Sequence, residues 1–530
     1  MLEKYPDLEL QLQLSHFEPV TVDETPTFQD LKLPLENLDI IYVYGLSDGR
    51  PFLALEKWLE APGRQLIFLE DDLYALHRLA ALEWGKKTLN HPQVHLKFLY
   101  EPKDWVLELC AKQFPSERIA VTTLKKKTAL FHSIKLALLR KTVLWNSLTS
   151  ECLSGHLLHR NIFSNFQKLP QSFYVNRTKE AFKGKPAVIC GAGPSLGGVI
   201  EDLRKIQDKA LIIGCGSALS SLSHFNLKPH LGIAIDPNAR EKECLKGCAF
   251  RDLPLIYGNR LYPEVFELFD GPFGYLSSPT GSPLEKAIEA ELGLLDADIG
   301  MDLGREALSV TTLALALASF WGCSPIILAG VDLAYSGSDH YAKGVPVHAA
   351  LQKQETRAGE QLIYRKGAEG RRVRTLIKWV MEQQTIDAFV KHTPEITFLN
   401  ATGKGLGFSS IPFKPLSKMD FSLLPIDLKT IIASHPVPVT HFHLNKTLDG
   451  FRQSFERCLE FAKALQQEEE ESGKAILYQE ELLHEKAYQH TLRPALDALE
   501  RVYLLNIATP FSRHKWKFLQ EMTEEYLKLF

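Results

Sequence analysis

The 530-residue sequence lacks any run of 18 apolar residues, and its first residues, MLEKYPDLEL, lack the basic head and apolar stretch of a secretory signal. These absences exclude a transmembrane helix and predict a cytoplasmic protein without a membrane partner. Excess charge is also missing, because Lys and Arg total 61 and Asp and Glu total 64, and the net charge of −3 gives no general attraction to nucleic acid. Any basic site must therefore be local.

Paired cysteines are absent as well. The eight cysteines include no CxxC spacing, and most lie in apolar segments, which predicts buried, reduced thiols. Cys244 and Cys248 are four residues apart, but no second Cys or His pair accompanies them. Because structural zinc takes four ligands, the sequence predicts no metal site.

Residues 1–170 predict an N-terminal α/β domain. The apolar run LDIIYVY leads into a glycine-bearing turn and a segment of helical spacing, and RQLIFLED and VHLKFLY have the pattern of further strands. The loop from Gly45 to Gly49, with Glu70 at the next strand end, loosely resembles a dinucleotide-binding fingerprint. Its glycine spacing differs, so a tight turn is the simpler interpretation.

Residues 171–412 predict a Rossmann-like α/β domain with a parallel sheet, because short apolar strands alternate with helical segments. The first strand leads into the glycine loop GAGPSL, residues 191–196, and a helix follows. Glycine at 191 and 193 would let a phosphate approach the main chain, and the helix N-terminus would offer unpaired N–H groups. We therefore predict that the loop binds a nucleotide through Gly191, Ala192, Gly193, Pro194, Ser195 and Leu196.

Small and polar residues follow the later strands, at the strand ends where ligands of open α/β sheets bind. The two aspartates among them could hold ribose hydroxyls or a metal ion, or could cap turns. The histidine could act as a base or be an ordinary surface residue. These residues are Gly216, Ser217, Asp236, Asn238, Asp332, Tyr335 and His340.

Four runs together resemble the bacterial motility accessory factor family: GAGPSL, IAIDP, VTTLALALASFWGCSPIILAGVDLAYSGSDHYAKG and TFLNATGKG. The family's central domain is similar to sialyltransferases that use CMP-sialic acid. It is also similar to the archaeal 6-hydroxymethylpterin diphosphokinase, which moves diphosphate from ATP to a pterin alcohol. The resemblance implies a cytoplasmic glycosyltransferase that attaches a nonulosonic acid, such as pseudaminic or legionaminic acid, to Ser or Thr of flagellin.

The resemblance also implies roles for single residues. The glycine loop, Gly216, Ser217 and Asp236 would contact the nucleotide, and Asp332, Tyr335 and His340 form the predicted catalytic group. The chain departs from the sialyltransferases twice, because their second nucleotide contact is an asparagine rather than glycine, and their catalytic histidine lies farther beyond the strand-end aspartate. The base is therefore assigned first to His340, with His348 or an acidic residue as alternatives.

An inverting transfer from a CMP-sugar needs a base near the acceptor hydroxyl and donors for the departing phosphate, but no cofactor beyond the sugar donor. The run YRKGAEGRRVRT could bind the sugar carboxylate or phosphate through Arg371, Arg372 and Arg374, as a mobile lid, or could be a solvated loop. A diphosphokinase would instead use Asp236 or Asp332 to hold magnesium. A third hypothesis is a nucleotide-binding scaffold without catalysis.

Residues 413–530 predict a proline-bearing linker followed by helices. The helical spacing of Phe451, Phe455, Leu459, Ala462 and Leu465 predicts a helical hairpin or bundle. Because this part contains no catalytic cluster, it could dock a protein acceptor, form a homo-oligomer, or simply pack against the rest of the chain.

Overall fold

The computed structural model describes residues 34–46, 50–100, 103–153, 155–277, 282–294, 299–300, 309–337, 339–346, 357–422, 426–469, 472–506 and 512–530. Contacts divide the chain into two compact units. The first contains Met1–Ser150, Lys353–Gln361 and Ala498–Phe511, and the second contains Glu151–Gln352, Leu362–Asp497 and Ser512–Phe530. Most of the C-terminal helical part thus belongs to the same unit as the central sheet. The division into three domains stays a prediction.

The first unit is built on a four-stranded parallel sheet of order β3-β2-β1-β4, which confirms the α/β prediction. Residues of β1, β2 and β4 are buried throughout, as expected for parallel strands with helices on both faces. The strands are β1 (Ile40–Tyr44), β2 (Gln65–Glu70), β3 (Val94–Phe98) and β4 (Ile119–Thr123). The helices in this part of the chain are α1 (Arg50–Leu53), α2 (Glu56–Leu59), α3 (Leu73–Ala81), α4 (Glu83–Asn90), α5 (Lys103–Gln113) and α6 (Ala129–Leu153).

The acidic side chain at the end of β2 is structural. Glu70 is fully buried, and its carboxylate accepts hydrogen bonds from the N–H groups of Leu46 (2.9 Å), Asp71 (2.9 Å) and Asp72 (3.0 Å). Lys125 forms an ion pair with it. Burial raises the pKa of Glu70, and Lys125 opposes that shift. These contacts favour a tight turn over a dinucleotide site, although residues 47–49 of the loop lie outside the described residues.

The second unit contains an eight-stranded parallel sheet of order β14-β11-β6-β7-β8-β9-β10-β5, so the predicted Rossmann-like parallel sheet is confirmed. The strands that follow β6 in the chain are added on one side of it, beginning with β7, whereas β11 is added on the other side. Ligands of such sheets bind at the carboxyl ends of the strands where the strand order reverses in this way. The strands are β5 (Phe173–Tyr174), β6 (Ala187–Cys190), β7 (Leu211–Cys215), β8 (Leu231–Ala234), β9 (Leu255–Tyr257), β10 (Phe273–Tyr275), β11 (Ile326–Ala329) and β14 (Phe398–Asn400).

Helices and one hairpin surround this sheet. The hairpin pairs β12 (Leu362–Lys366) with β13 (Arg372–Leu376) in antiparallel register. The helices that precede residue 413 are α7 (Gly155–Phe166), α8 (Ile200–Lys205), α9 (Ala218–His224), α10 (Ala239–Leu245), α11 (Pro283–Glu291), α12 (Val310–Phe320) and α13 (Ile377–His392). Helix α12 is apolar nearly all round because it is buried against β6, β7, β8 and β11. Ser309 caps its first turn.

The C-terminal part is helical, as predicted. Its helices are α14 (Leu428–Ser434), α15 (His441–Leu465), α16 (Gly473–His484), α17 (Arg493–Asn506) and α18 (Ser512–Leu527). The inner face of α15 contains Phe451, Phe455 and Ala462, but Cys458 rather than Leu459 takes the position between them. None of the described helices is both long enough and apolar enough to cross a membrane.

Candidate functional site

The glycine loop that follows β6 lies against the turn that follows β11. The Gly191 N–H donates to the Ala329 carbonyl at 2.8 Å, and the Gly193 N–H donates to the Gly330 carbonyl at 2.7 Å. A Cβ atom at Gly191 or Gly193 would come within 2.7 or 2.6 Å of the Gly330 oxygen. Both glycines are therefore needed for contact between the two loops, and their predicted role in letting a phosphate approach the main chain stays a prediction.

The side chain of Asp332, from the turn after β11, binds the glycine loop. The Asp332 carboxylate accepts the Ser195 N–H at 2.9 Å and also accepts the Ser195 hydroxyl. Asp332 is 3% exposed, and burial raises its pKa while both Ser195 hydrogen bonds lower it. Because both carboxylate oxygens are engaged, Asp332 holds the two loops together, and its catalytic role stays a prediction.

The remaining loop residues offer one amide to a ligand. Pro194 has no N–H group, and the Leu196 N–H donates to Gly193 while its side chain is fully buried. The Ala192 carbonyl accepts the Ala342 N–H at 2.9 Å, which brings the segment that contains His340 onto the loop. In the described part of the chain, the Ala192 N–H has no hydrogen-bond partner, so it is the candidate phosphate donor.

His340 lies in a cluster of aromatic rings rather than on the open surface. Its ring stacks on Tyr341, with centroids 4.3 Å apart and planes 3° apart, and contacts Trp379 at 4.9 Å and Tyr335 at 5.3 Å. The ring is half-buried. These contacts favour a place in the site over an ordinary surface position, and the role of His340 as a base stays a prediction. His348, the second candidate base, lies outside the described residues.

The basic run predicted as a loop is the β12–β13 hairpin. Arg371 lies exposed at its turn, and the Arg372 guanidinium covers the exposed Tyr364 ring at 4.2 Å. The Arg374 guanidinium covers the Tyr335 ring at 4.8 Å. Of the three arginines, Arg374 is therefore the one that the structure places beside the His340 cluster.

The ends of β7 and β8 provide the other predicted contacts. Gly216 has a φ of +48°, which glycine adopts readily, and it closes β7 by donating to the Ile233 carbonyl at 2.8 Å. Ser217 precedes α9 and is half-buried. Asp236 is exposed, and one carboxylate oxygen accepts the N–H (2.9 Å) and the side-chain amide (2.7 Å) of Asn238. Asn238 thus orients Asp236, whose nucleotide contact stays a prediction.

The structure brings the end of β8 and the His340 segment together. Arg240, four residues after Asp236, donates to the Tyr341 hydroxyl at 3.2 Å. Because Tyr341 stacks on His340, one aromatic ring separates His340 from the Arg240 guanidinium. We call the space bounded by the Gly216 turn, α10 and the His340 cluster the crevice.

Sequence reasoning missed two carboxyl groups beside this crevice. Glu241 on α10 is 8% exposed, and its Oε1 atom lies 3.3 Å from the position of a Cβ at Gly216. Burial, with Asp236 nearby, raises its pKa to about 8. Glu382 on α13 accepts the Ser309 hydroxyl at 2.5 Å, and burial raises its pKa. Glu241 stands in the polar run AREKE, so only its spacing to the buried Cys244 and Leu245 could have indicated an inward position.

Residues 160–338 match the family model described as 6-hydroxymethylpterin diphosphokinase MptE-like. The chain carries an MptE-like domain. A similar fold occurs in the structure of MAf glycosyltransferase from Magnetospirillum magneticum AMB-1, with a TM-score of 0.53 and 16% identity, covering 92% of this chain and 78% of that chain. A search of curated proteins gave no match. The comparisons thus support the predicted resemblance at two levels: residues 160–338 match the MptE-like family model, and the fold is similar to that of a MAf glycosyltransferase.

The MptE-like domain includes the glycine loop, Gly216, Asp236 and Asp332, whereas His340 and Arg374 lie beyond the matched residues. The predicted site residues therefore fall into one set within the matched residues and an aromatic and basic set after them.

The described residues fit a magnesium ion poorly. Both oxygens of Asp332 accept hydrogen bonds from Ser195, and one oxygen of Asp236 is shared by two donors of Asn238. Within the described ranges, no three His, Cys, Asp or Glu side chains come together in a way that could hold a metal. Magnesium prefers carboxylate oxygens that are open to it, so we derive no step through a metal ion.

Proposed function

We propose that the protein transfers a nonulosonic acid from its CMP-activated form to a hydroxyl group of a protein acceptor such as flagellin. The observation that carries this proposal is the position of His340. A titratable ring is held among three aromatic side chains, on a segment hydrogen-bonded to the glycine loop through Ala342 and Ala192. A base beside a nucleotide loop is what transfer from a nucleotide-sugar requires.

In the proposed reaction, the acceptor hydroxyl oxygen attacks the anomeric carbon of the sugar, and the bond from that carbon to the phosphate oxygen of CMP breaks. CMP leaves with the electron pair, and His340 takes the hydroxyl proton. The Ala192 N–H donates to the phosphate oxygen on which negative charge develops. Asp236 accepts hydrogen bonds from the ribose hydroxyls, with its orientation fixed by Asn238.

Arg374 is the residue best placed to bind the carboxylate of the sugar. Its guanidinium lies on Tyr335, next to His340, and its Nε atom is buried with no hydrogen-bond partner among the described residues. A buried donor without a partner is costly, and a carboxylate can accept from the guanidinium in a bidentate way. The same contact would orient the anomeric carbon toward the base.

Two measurements test the proposal. Calorimetry against CMP, CDP, ATP and GTP, each with and without magnesium, should show CMP binding that does not require the metal. A transfer assay with CMP-activated pseudaminic or legionaminic acid and flagellin should show turnover that His340→Ala removes. His392→Ala is the matched control, because His392 is an exposed histidine on α13 that contacts its own helix. Absence of CMP binding would contradict the proposal.

The second candidate is ATP-dependent diphosphate transfer, which the MptE-like match favours. It predicts that ATP binds more tightly than CMP and that binding requires magnesium, because the metal bridges the phosphates in such reactions. A non-catalytic scaffold would bind CMP as tightly with His340→Ala as without it, and would show no turnover in either form. The same calorimetry and transfer assay therefore separate all three.

A further inference from the structure

The turn end of the β12–β13 hairpin carries exposed basic side chains without acidic partners. The run from residue 364 to residue 372 has four basic residues and one acidic residue, Glu369, in a chain whose net charge is −3. Among the residues that the structure describes, none of the four basic side chains forms an ion pair, whereas many other lysines and arginines do. We call the following exposed residues the basic hairpin end: Tyr364, Arg365, Lys366, Arg371 and Arg372.

The strand register gathers positive charge on one face of the hairpin. Lys366 lies directly opposite Arg372, and Tyr364 lies opposite Arg374, so these four side chains share a face. Two like charges in directly opposite positions destabilise a strand pair. The Arg372 guanidinium covers the Tyr364 ring, which is 55% exposed. The face is therefore basic and aromatic, and an anion bound there would relieve the repulsion.

This face begins beside the crevice. The Arg374 guanidinium covers the Tyr335 ring at 4.8 Å, and the Tyr335 ring contacts that of His340 at 5.3 Å. Arg372 lies two residues from Arg374, which is about 7 Å along β13. A ligand that extends from His340 to Arg372 therefore spans about 15 Å. A single sugar is too short for this span, whereas about five residues of extended polypeptide cover it.

We propose that the basic hairpin end binds an acidic segment of the acceptor polypeptide, close to the Ser or Thr whose hydroxyl group lies at His340. This inference deepens the proposed function and rests on it, because it assumes that the acceptor is a protein. Arginine side chains bind carboxylates in a bidentate way, and the Tyr364 ring adds an apolar contact beside them. The acceptor is thus recognised by acidic residues near the modified position.

The charge of the whole chain favours a short acidic segment over a long polyanion. With a net charge of −3, the protein as a whole does not attract nucleic acid, which carries charge along its full length. A short segment meets only the local positive charge of the hairpin. The position beside the crevice also places such a segment where a hydroxyl group of the same polypeptide can reach His340.

The test is the binding of two peptides to the 530-residue protein, measured by fluorescence anisotropy. The acidic peptide has one Ser, with Glu residues within about five positions on both sides. The neutral peptide has Gln in place of each Glu. We expect the acidic peptide to bind about tenfold more tightly at about 50 mM salt, and this preference to disappear at about 500 mM, because salt screens exposed charges.

The double variant Arg365→Gln/Lys366→Gln removes two charges from the basic hairpin end. It should weaken binding of the acidic peptide about 3- to 10-fold and leave the affinity for the neutral peptide and for CMP unchanged. Lys391→Gln/Lys446→Gln is the matched control. These lysines lie on α13 and α15, are exposed, and form no ion pair among the described residues. This control should bind both peptides as the unchanged protein does.

Two results with the peptides overturn the proposal. The first is equal affinity of the unchanged protein for both peptides at low salt, and the second is an equal effect of the hairpin variant and its control. Tighter binding of a single-stranded oligonucleotide or of phosphatidylserine vesicles than of the acidic peptide also overturns it. The same holds for a dimer that the hairpin variant dissociates, because the surface then has a different occupant.

The peptide measurements are independent of the proposed reaction, because they need neither a sugar donor nor turnover. If the acidic peptide binds through the hairpin but CMP does not bind, the acidic partner is confirmed and the proposed transfer from a CMP-sugar is wrong. If CMP binds but the protein does not distinguish the two peptides, the docking proposal is wrong and the proposed function stands.

Discussion

Ser195 gives both its backbone N–H and its hydroxyl to the carboxylate of Asp332, so the loop after β6 and the loop after β11 are joined at the switch point of the sheet. The two residues are 137 positions apart in the chain. The carboxylate satisfies a backbone N–H group in the first turn of the short helix that begins at Pro194.

Removing the hydroxyl of this pair should destabilise the second unit. Ser195→Ala leaves the buried Asp332 carboxylate with one hydrogen bond fewer, and we expect a loss of about 1 to 3 kcal/mol in the free energy of unfolding. Ser434→Ala is the control, because its hydroxyl bonds only to its own helix on the surface and should cost less than about 0.5 kcal/mol. Urea denaturation measures both. Equal losses would mean that the pair does not hold the loops.

Gly193→Ala should also destabilise the fold, because the added Cβ would lie 2.6 Å from the Gly330 oxygen and 2.8 Å from the Asp332 carboxyl carbon. We expect a loss of about 1 to 3 kcal/mol in the free energy of unfolding. Gly198→Ala, two residues after the glycine loop, provides the comparison, because a Cβ there meets nothing within 4 Å, and it should be neutral. Thermal unfolding distinguishes them, and similar melting temperatures would contradict the packing argument.

The sheets and helices could be predicted because their patterns are local. Buried parallel strands such as ALIIG and PIILAG are short apolar runs bounded by turns, and α15 repeats apolar residues at helical spacing. The structure of the basic run before α13 was harder to predict, because its charges suggest a solvated loop. In the structure, alternate residues of the hairpin pack inward as in a strand, Ile363 and Val373 among them. The charged residues therefore suggest a loop where the chain forms the β12–β13 hairpin.

The candidate site could be predicted in part. The residues at strand ends were identifiable because parallel strands bring their carboxyl ends to one edge. The partners of those residues were not, since the Ser195–Asp332 pair and the Arg240–Tyr341 hydrogen bond join distant positions. Trp379 was missed because an aromatic residue on a helix usually indicates a core position. Glu241 was missed because a glutamate in a charged run usually indicates a solvated position.

Binding and chemistry should separate between Asp236 and His340. Asp236→Ala removes an acceptor for the ribose, and we expect CMP affinity to fall about 10- to 100-fold, the scale of a hydrogen bond to a charged group. His340→Ala should leave CMP affinity nearly unchanged and slow transfer by about 10²- to 10⁴-fold, because a base acts on the acceptor. Calorimetry and a transfer assay measure the two effects. A loss of CMP affinity with His340→Ala would assign that residue to the nucleotide instead.

Arg374 should determine how tightly the sugar donor binds. Arg374→Lys keeps the positive charge but loses the planar guanidinium that lies on Tyr335, and we expect the KM for the CMP-sugar to rise about tenfold. The change should be smaller for Arg372→Lys, since Arg372 lies on the exposed Tyr364 ring. Affinity for CMP, which lacks the sugar carboxylate, should not change with Arg374→Lys. Equal effects of the two variants on KM would show that the hairpin acts through its overall charge.

Glu241 should also make the stability of the ligand-free protein depend on pH. Its pKa is about 8 in the folded chain and near its ordinary value of 4.5 in the unfolded chain, so the folded state holds one more proton between these two values. The contribution of Glu241 to the free energy of unfolding therefore decreases by about 1.4 kcal/mol for each pH unit between about pH 5 and 8. Above pH 8 this contribution is constant. Glu241→Gln removes this titrating proton. The free energy of unfolding of the unchanged protein, taken relative to that of the variant, should therefore fall as the pH rises, so that any advantage of the unchanged protein narrows or reverses. Glu285, whose pKa burial also raises to about 8, is present in both and cancels from the comparison. Denaturation at pH 5, 6, 7 and 8 measures the difference, and a constant difference would mean that the Glu241 carboxyl is already ionised at pH 5.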